Sequence, residues 1–161
     1  VNRVLWYRER NLRNINLGSV LLLTLLRSLM FNLQRLQDVF LLSNCCAVLM
    51  NMSPSIVDLH EYAAMRLASV TVSVMKKHSK LNAASAGQST NEHENEKKNE
   101  EGEEEYMSTP LGMYEEVART LLSIVQHCLS SRNMERNLHL VYALVYHQAD
   151  LTRLFKGDNL Y

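Results

Sequence analysis

The chain has 161 residues, 47% of them apolar, and its 17 Lys+Arg balance 17 Asp+Glu. A balance of zero excludes the overall basic field that a nucleic-acid binder uses. With only five Gly and two Pro, the chain is too poor in turn formers for a many-stranded β-protein, and helices are favoured.

In chain order, Val1 to Arg13 is predicted as a first, basic helical segment. Arg3, Arg8, Arg10 and Arg13 stand there among Val4, Leu5, Trp6, Tyr7 and Leu12. A start on Val1 in mid-pattern gives the chain the look of an excerpt from a longer protein. Leu17 to Asn32 is apolar almost all round, the signature of a helix packed on several sides. Gly18, Ser19, Thr24, Arg27 and Ser28 interrupt it, so it reads as a buried helix and not a bilayer span. From Leu36 onward Val39, Leu42, Cys46 and Leu49 recur at helical spacing.

Ser53-Pro54 reads as an N-cap followed by a first helical residue, because proline's missing N–H costs nothing there. The helix so begun carries Ile56, Leu59, Ala63, Leu67, Val70 and Val74, and closes in Lys76, Lys77, His78 and Lys80. Those cations suit the negative end of the helix dipole. Residues 82–106 contain eight Glu and two Lys amid Asn, Ser, Ala and Gly. Such a segment cannot offset its ordering entropy by apolar burial, so a disordered acidic insertion is predicted. Thr109-Pro110 repeats the cap arrangement before Val117, Leu121, Ile124 and Cys128. A last pair covers Leu138 to Tyr146 and Asp150 to Phe155, with Gly157 as a C-cap.

No segment alternates with period two, so essentially no sheet is expected. The predicted fold is all-α: helical hairpins (1–81, basic), the insertion (82–106), and further hairpins (107–161). The two starts at Leu17 and Pro54 lie 37 residues apart, close to the ~40-residue period of HEAT and armadillo repeats. Stacked hairpins in a HEAT/armadillo-like α-solenoid are therefore favoured over a compact bundle. Leu22, Leu26, Leu42, Leu67 and Leu121 are expected core positions.

Chemistry is sparse in the pattern. His60-Glu61 begins like HExxH, but the fifth position is Ala64, so the second zinc ligand is absent. His127 and Cys128 are helix neighbours that do not face each other. Cys45, Cys46 and Cys128 read as buried reduced thiols. His60, His139 and His147 read as surface or partly buried residues. Tyr142 and Tyr146, four apart, read as an aromatic edge of the core. No catalytic, cofactor or metal residues are assigned. Arg3, Arg8, Arg10 and Arg13 are the candidate partner or membrane surface.

Several stretches carry a resemblance to a known family. They are Trp6-Tyr7-x-Glu9-Arg10, Leu17-Gly18-Ser19, Asn44-Cys45, Asn51-Met52-Ser53, Leu59-His60-x-Tyr62-Ala63-Ala64 and Leu140-Val141-Tyr142-Ala143-Leu144. Taken in this order, outside residues 82–106, they resemble the dymeclin family of Golgi-associated helical proteins. The resemblance implies a non-enzymatic scaffold supporting Golgi organisation and secretory vesicle traffic, with Golgi-associated proteins as partners. It also implies a cytoplasmic location, peripheral on the Golgi membrane, and a myristoylated glycine that has no counterpart in this chain. The alternative is a peripheral lipid-binding module that uses the basic N-terminal segment.

Overall fold

A computed structural model describes residues 3–4, 12–86 and 106–156. Its architecture is all-α, as expected, with one small departure at the start. There β1 (Arg3–Val4) pairs antiparallel with β2 (Leu12–Arg13), in the register Arg3↔Arg13 and Val4↔Leu12. The helix predicted over Val1 to Arg13 is thus corrected where the segment is described. Asn14 explains part of this: its φ of 51° is left-handed and ends any helix reaching it. Leu12 and Ile15 are nevertheless buried, so the segment is tied to the core.

Helix α1 (Leu17–Phe31) starts from Asn16, whose side chain accepts the Ser19 N–H at 2.6 Å. It ends in a π turn, Asn32–Leu36, followed by Gln37 at φ 54°. Asn32 is almost wholly buried and grips the next residue to be used as a cap. Its amide donates to the Asp38 carbonyl at 2.7 Å, and its oxygen accepts the Asp38 N–H at 2.9 Å. Asp38 in turn caps α2 (Val39–Met52) by accepting the Leu41 N–H at 2.9 Å. By length and composition α1 with its π turn is apolar enough to cross a membrane. In this fold Leu22, Leu23, Leu26 and Leu29 bury its inner face in the core.

The predicted helix start at Ser53-Pro54 is also corrected. Residues Ser53–Ser55 make only one 3-10 turn, and α3 (Glu61–Ala86) begins six residues later than that turn's end. Ser53 Oγ donates backward to the Met50 carbonyl at 2.8 Å, and Asp58 at φ 53° bars a continuous helix. Ile56 and Leu59 are buried from an extended link, so their helical spacing misled. The interval between the two starts is correspondingly longer than the one read from Pro54.

Helix α3 continues to Ala86, into the stretch read as the insertion, and Tyr106 already lies in a helical turn. Residues 87–105, which hold the glutamates, lie outside the described residues, as does Gly157. Helix α4 (Pro110–Cys128) starts as expected, with Thr109 Oγ1 accepting the Gly112 N–H at 3.0 Å. Helix α5 (Leu138–Tyr146) has the expected bounds, and α6 (Gln148–Lys156) encloses the predicted final segment. Helix α3 packs most heavily on α4 and α5, and also on α1; α2 packs on α4. The Lys76–Asp150 ion pair, 2.8 Å, ties α6 to α3. Leu22, Leu26, Leu42, Leu67 and Leu121 are all at most 1% exposed, so the expected core positions stand.

Candidate interaction surface

The densest polar arrangement surrounds the link between α2 and α3. Asn137, 1% exposed, sits just before α5. Its amide donates to the carbonyls of Ile56 at 3.0 Å and Cys128 at 3.3 Å, and its oxygen accepts the Leu59 N–H at 3.3 Å. Asn133 donates to the carbonyls of Pro54 at 3.4 Å and His127 at 3.2 Å. From the other side Asn16 donates to the Asp58 carbonyl at 2.6 Å, and Ser19 Oγ accepts the His60 N–H at 3.0 Å. These bonds satisfy link backbone that has no helical partner. Spacing gave no sign of them, since a lone Asn before an apolar helix reads as a cap.

His60 and His127 are committed to structural bonds. His60 Nδ1 accepts the Tyr62 N–H at 3.1 Å, so Nε2 holds the proton and donates to the Arg13 carbonyl at 3.2 Å. His127 Nδ1 faces the Ser123 carbonyl at 2.9 Å and Ser53 Oγ at 3.1 Å. A carbonyl only accepts, so Nδ1 is the donor and cannot take a proton from Ser53. Cys128 does not meet His127; it points at the Ile56 carbonyl, 3.9 Å away. Burial pushes the Cys128 thiol up to about 12 and Cys46 up to about 11. Low-pKa nucleophilic chemistry is thereby opposed at both sites. Among the described residues no group of three His, Cys, Asp or Glu is placed to hold a metal.

Beside the link lies a polar cleft of about 580 Å³, lined by Asn14, Asp58, His60, Glu61, Glu135, Arg136 and His139 among others. In its wall Arg136 makes a two-pronged contact with Asp58, whose Nε–Oδ1 arm is 3.3 Å. That hydrogen bond and the guanidinium charge hold the Asp58 carboxyl below its ordinary range.

Of the candidate arginines, Arg13 is exposed, and the strand register sets it opposite Arg3. Arg8 and Arg10 lie outside the described residues, as do Trp6 and Tyr7. Cross-strand register therefore sets two positively charged positions opposite each other, a pairing that is by itself unfavourable.

Apolar side chains are uncovered at two places. On α1, α2 and the turn between them, Leu17, Phe31, Leu36 and Phe40 are each more than half exposed. On α5 the same holds for Leu138, Tyr142, Val145 and Tyr146. The expectation that Tyr142 and Tyr146 form an edge of the core is therefore corrected: both are 68% exposed. Leu140 and Ala143, on the opposite side of α5, take the core positions. Four-residue spacing placed the tyrosines on one face but not on which one.

The family model described as "Dymeclin: Dyggve-Melchior-Clausen syndrome protein" matches residues 1–157. Dymeclin from Gallus gallus is 35% identical over 156 residues, covering 97% of this chain and 22% of the relative. Dymeclin from Xenopus laevis is 36% identical over 146 residues, 91% of this chain and 21% of its own length. Dymeclin from Dictyostelium discoideum is 40% identical over 81 residues, half of this chain and 9% of the relative. The chain thus spans about a fifth of the length of the two vertebrate relatives. No solved structure matches it.

Proposed function

The chain belongs to the dymeclin family, and on that premise we propose that it is a non-catalytic scaffold segment supporting Golgi organisation and secretory vesicle traffic. Its partners in this reading are Golgi-associated proteins, met by contact rather than bond chemistry, at the cytoplasmic side of the Golgi membrane. The proposed architecture is a stack of helical hairpins of the HEAT/armadillo kind. Its support is the succession α1–α2, α3–α4 and α5–α6, with α3 touching helices of both flanking pairs. The observation that carries the scaffold reading is the uncovered apolar face of Leu17, Phe31, Leu36 and Phe40 on α1, α2 and the turn between them, since exposed apolar patches of this kind mark interaction surfaces.

The test is rescue in cells that lack their own dymeclin-family protein. The Gallus gallus relative is expressed with its matching stretch replaced by residues 1–157 of this chain. Restored Golgi morphology and reporter secretion support the proposal. A chimera that folds and accumulates normally, yet restores neither, overturns it.

The opposed Arg3 and Arg13 positions favour one second reading, a lipid-binding module. Co-sedimentation with phosphatidylserine vesicles at physiological salt distinguishes it. Each Arg in contact with the surface contributes about 1 kcal/mol. Binding lost on joint Arg8→Glu and Arg13→Glu substitution favours the lipid module over the scaffold.

A further inference from the structure

Helix α5 reads Leu138-His139-Leu140-Val141-Tyr142-Ala143-Leu144-Val145-Tyr146. Its inward positions, Leu140 and Ala143, have no exposure; its outward stripe, Leu138, Tyr142, Val145 and Tyr146, is 57–68% exposed. Positions i, i+4, i+7 and i+8 make one continuous apolar row, the spacing with which a helix meets another helix. A helix apolar on both sides belongs inside a fold. Beside the stripe, an apolar groove of about 460 Å³ between α5 and α6 is lined by Leu144, Val145, Leu151 and Phe155, among others. Phe155 is itself 69% exposed.

Three occupants compete for this face, and physical arguments separate them. A helix resting on a membrane carries Lys and Arg along its polar side. Helix α5 has neither, and His139 is its one strongly polar side chain. A second copy would have to associate through a nine-residue helix, only ~14 Å long. With a width of about 10 Å such a strip offers on the order of 150 Å², far short of the roughly 800 Å² per partner of a stable interface. A helix from the same polypeptide faces no such requirement, because covalent connection supplies a high effective concentration. The family offers such helices in quantity, since the matched stretch is only 22% of the Gallus gallus relative. In a stacked-helix protein the outermost unit carries a polar outer face; α5 carries an apolar one.

We propose that the outward face of α5 is an internal packing surface, covered in a full-length dymeclin-family chain by a helical hairpin from outside the stretch matched here. The inference rests on the stacked-hairpin architecture proposed above and deepens it by naming the face that receives the next unit. Leu138, Tyr142, Val145 and Tyr146 are the knobs, and the α5–α6 groove receives side chains of the arriving hairpin.

The experiment is thiol accessibility, read separately on Tyr142→Cys and Val145→Cys, with Gln126→Cys on the exposed side of α4 as control. Native Cys45, Cys46 and Cys128 are buried and free, so their background is low. Each variant is compared in the 161-residue chain and in the Gallus gallus relative carrying residues 1–157. In the short chain all three introduced thiols react with maleimide at similar rates. In the long chimera those of Tyr142→Cys and Val145→Cys slow by about tenfold or more, as groups that react only after local opening do, while Gln126→Cys is unchanged. Equal rates in both proteins overturn the inference. So does protection in the short chain that grows with its own concentration, which indicates a second copy. Protection of the short chain by phosphatidylserine vesicles also overturns it, in favour of lipid. Slowed labelling without rescue of secretion leaves this packing surface standing and sinks the functional proposal; rescue without slowing does the reverse.

Discussion

Asn137 holds three partners with one amide, and none of them has water to fall back on. Asn137→Ala strands the Leu59 N–H and the Cys128 carbonyl and leaves the Ile56 carbonyl with only the weak Cys128 thiol, and should cost about 2–3 kcal/mol, since a buried unsatisfied polar group costs about 1–3. Urea unfolding followed by far-UV circular dichroism measures this. The exposed Asp58–Arg136 pair acts on a different axis, pH. The folded carboxyl titrates below its unfolded value because of Arg136, so its contribution is present above the unfolded value and lost as pH falls through the folded one. The melting-temperature gap between wild type and Asp58→Asn should accordingly narrow as pH falls below about 4, the ordinary aspartate value. A gap that stays constant on acidification contradicts the linkage. Neither residue was legible beforehand. Sequence spacing reports which way a side chain leaves its own helix, whereas Asn137 acts on backbone groups, and Asp58 on the Arg136 guanidinium, about eighty positions away.

Helix starts show where local chemistry suffices and where it does not. Thr109-Pro110 and Ser53-Pro54 are the same signal in sequence. Thr109 Oγ1 accepts forward from Gly112 N–H and begins α4, while Ser53 Oγ donates backward to Met50. Thr109→Ala should therefore cost about 1 kcal/mol, the usual loss for an N-cap, measured by the same unfolding curve. Gly112 adds a second constraint, because a Cβ there would collide with the Tyr106 carbonyl. Gly112→Ala should displace the Tyr106 turn and break the bond from its hydroxyl to Glu115, 2.6 Å. A tyrosine fluorescence or NMR shift confined to Tyr106 checks it. The bounds of α5 and the cap of α4 were readable because both depend on neighbours in sequence. The strand pair at the start was not, since Arg3 pairs with a residue ten positions away, and four arginines at irregular spacing mask the alternation.

At the scale of the molecule, α3 joins the parts, and its Leu67 has no exposure. Leu67→Ala should cost roughly 2–5 kcal/mol, as other buried leucine truncations do. A loss below half of that range's lower limit would show that the core around α3 relaxes freely. The all-α class and this core were legible because helical periodicity marks inward faces. Which apolar faces stay uncovered was not, because an outer and an inner stripe share the same period. The link between α2 and α3 carries a final consequence, one of timing. A ribosome delivers Ile56 and Leu59 about eighty residues before Asn137, the residue that receives their backbone groups. At ordinary elongation rates the wait is roughly 4–16 s, during which two apolar side chains and their carbonyls and amides await their partners. The link of a nascent chain thus stays open to solvent and to other chains during that interval, and substitutions at Asn137, which leave it without that partner afterwards, should lower cellular yield as well as the stability of the purified protein.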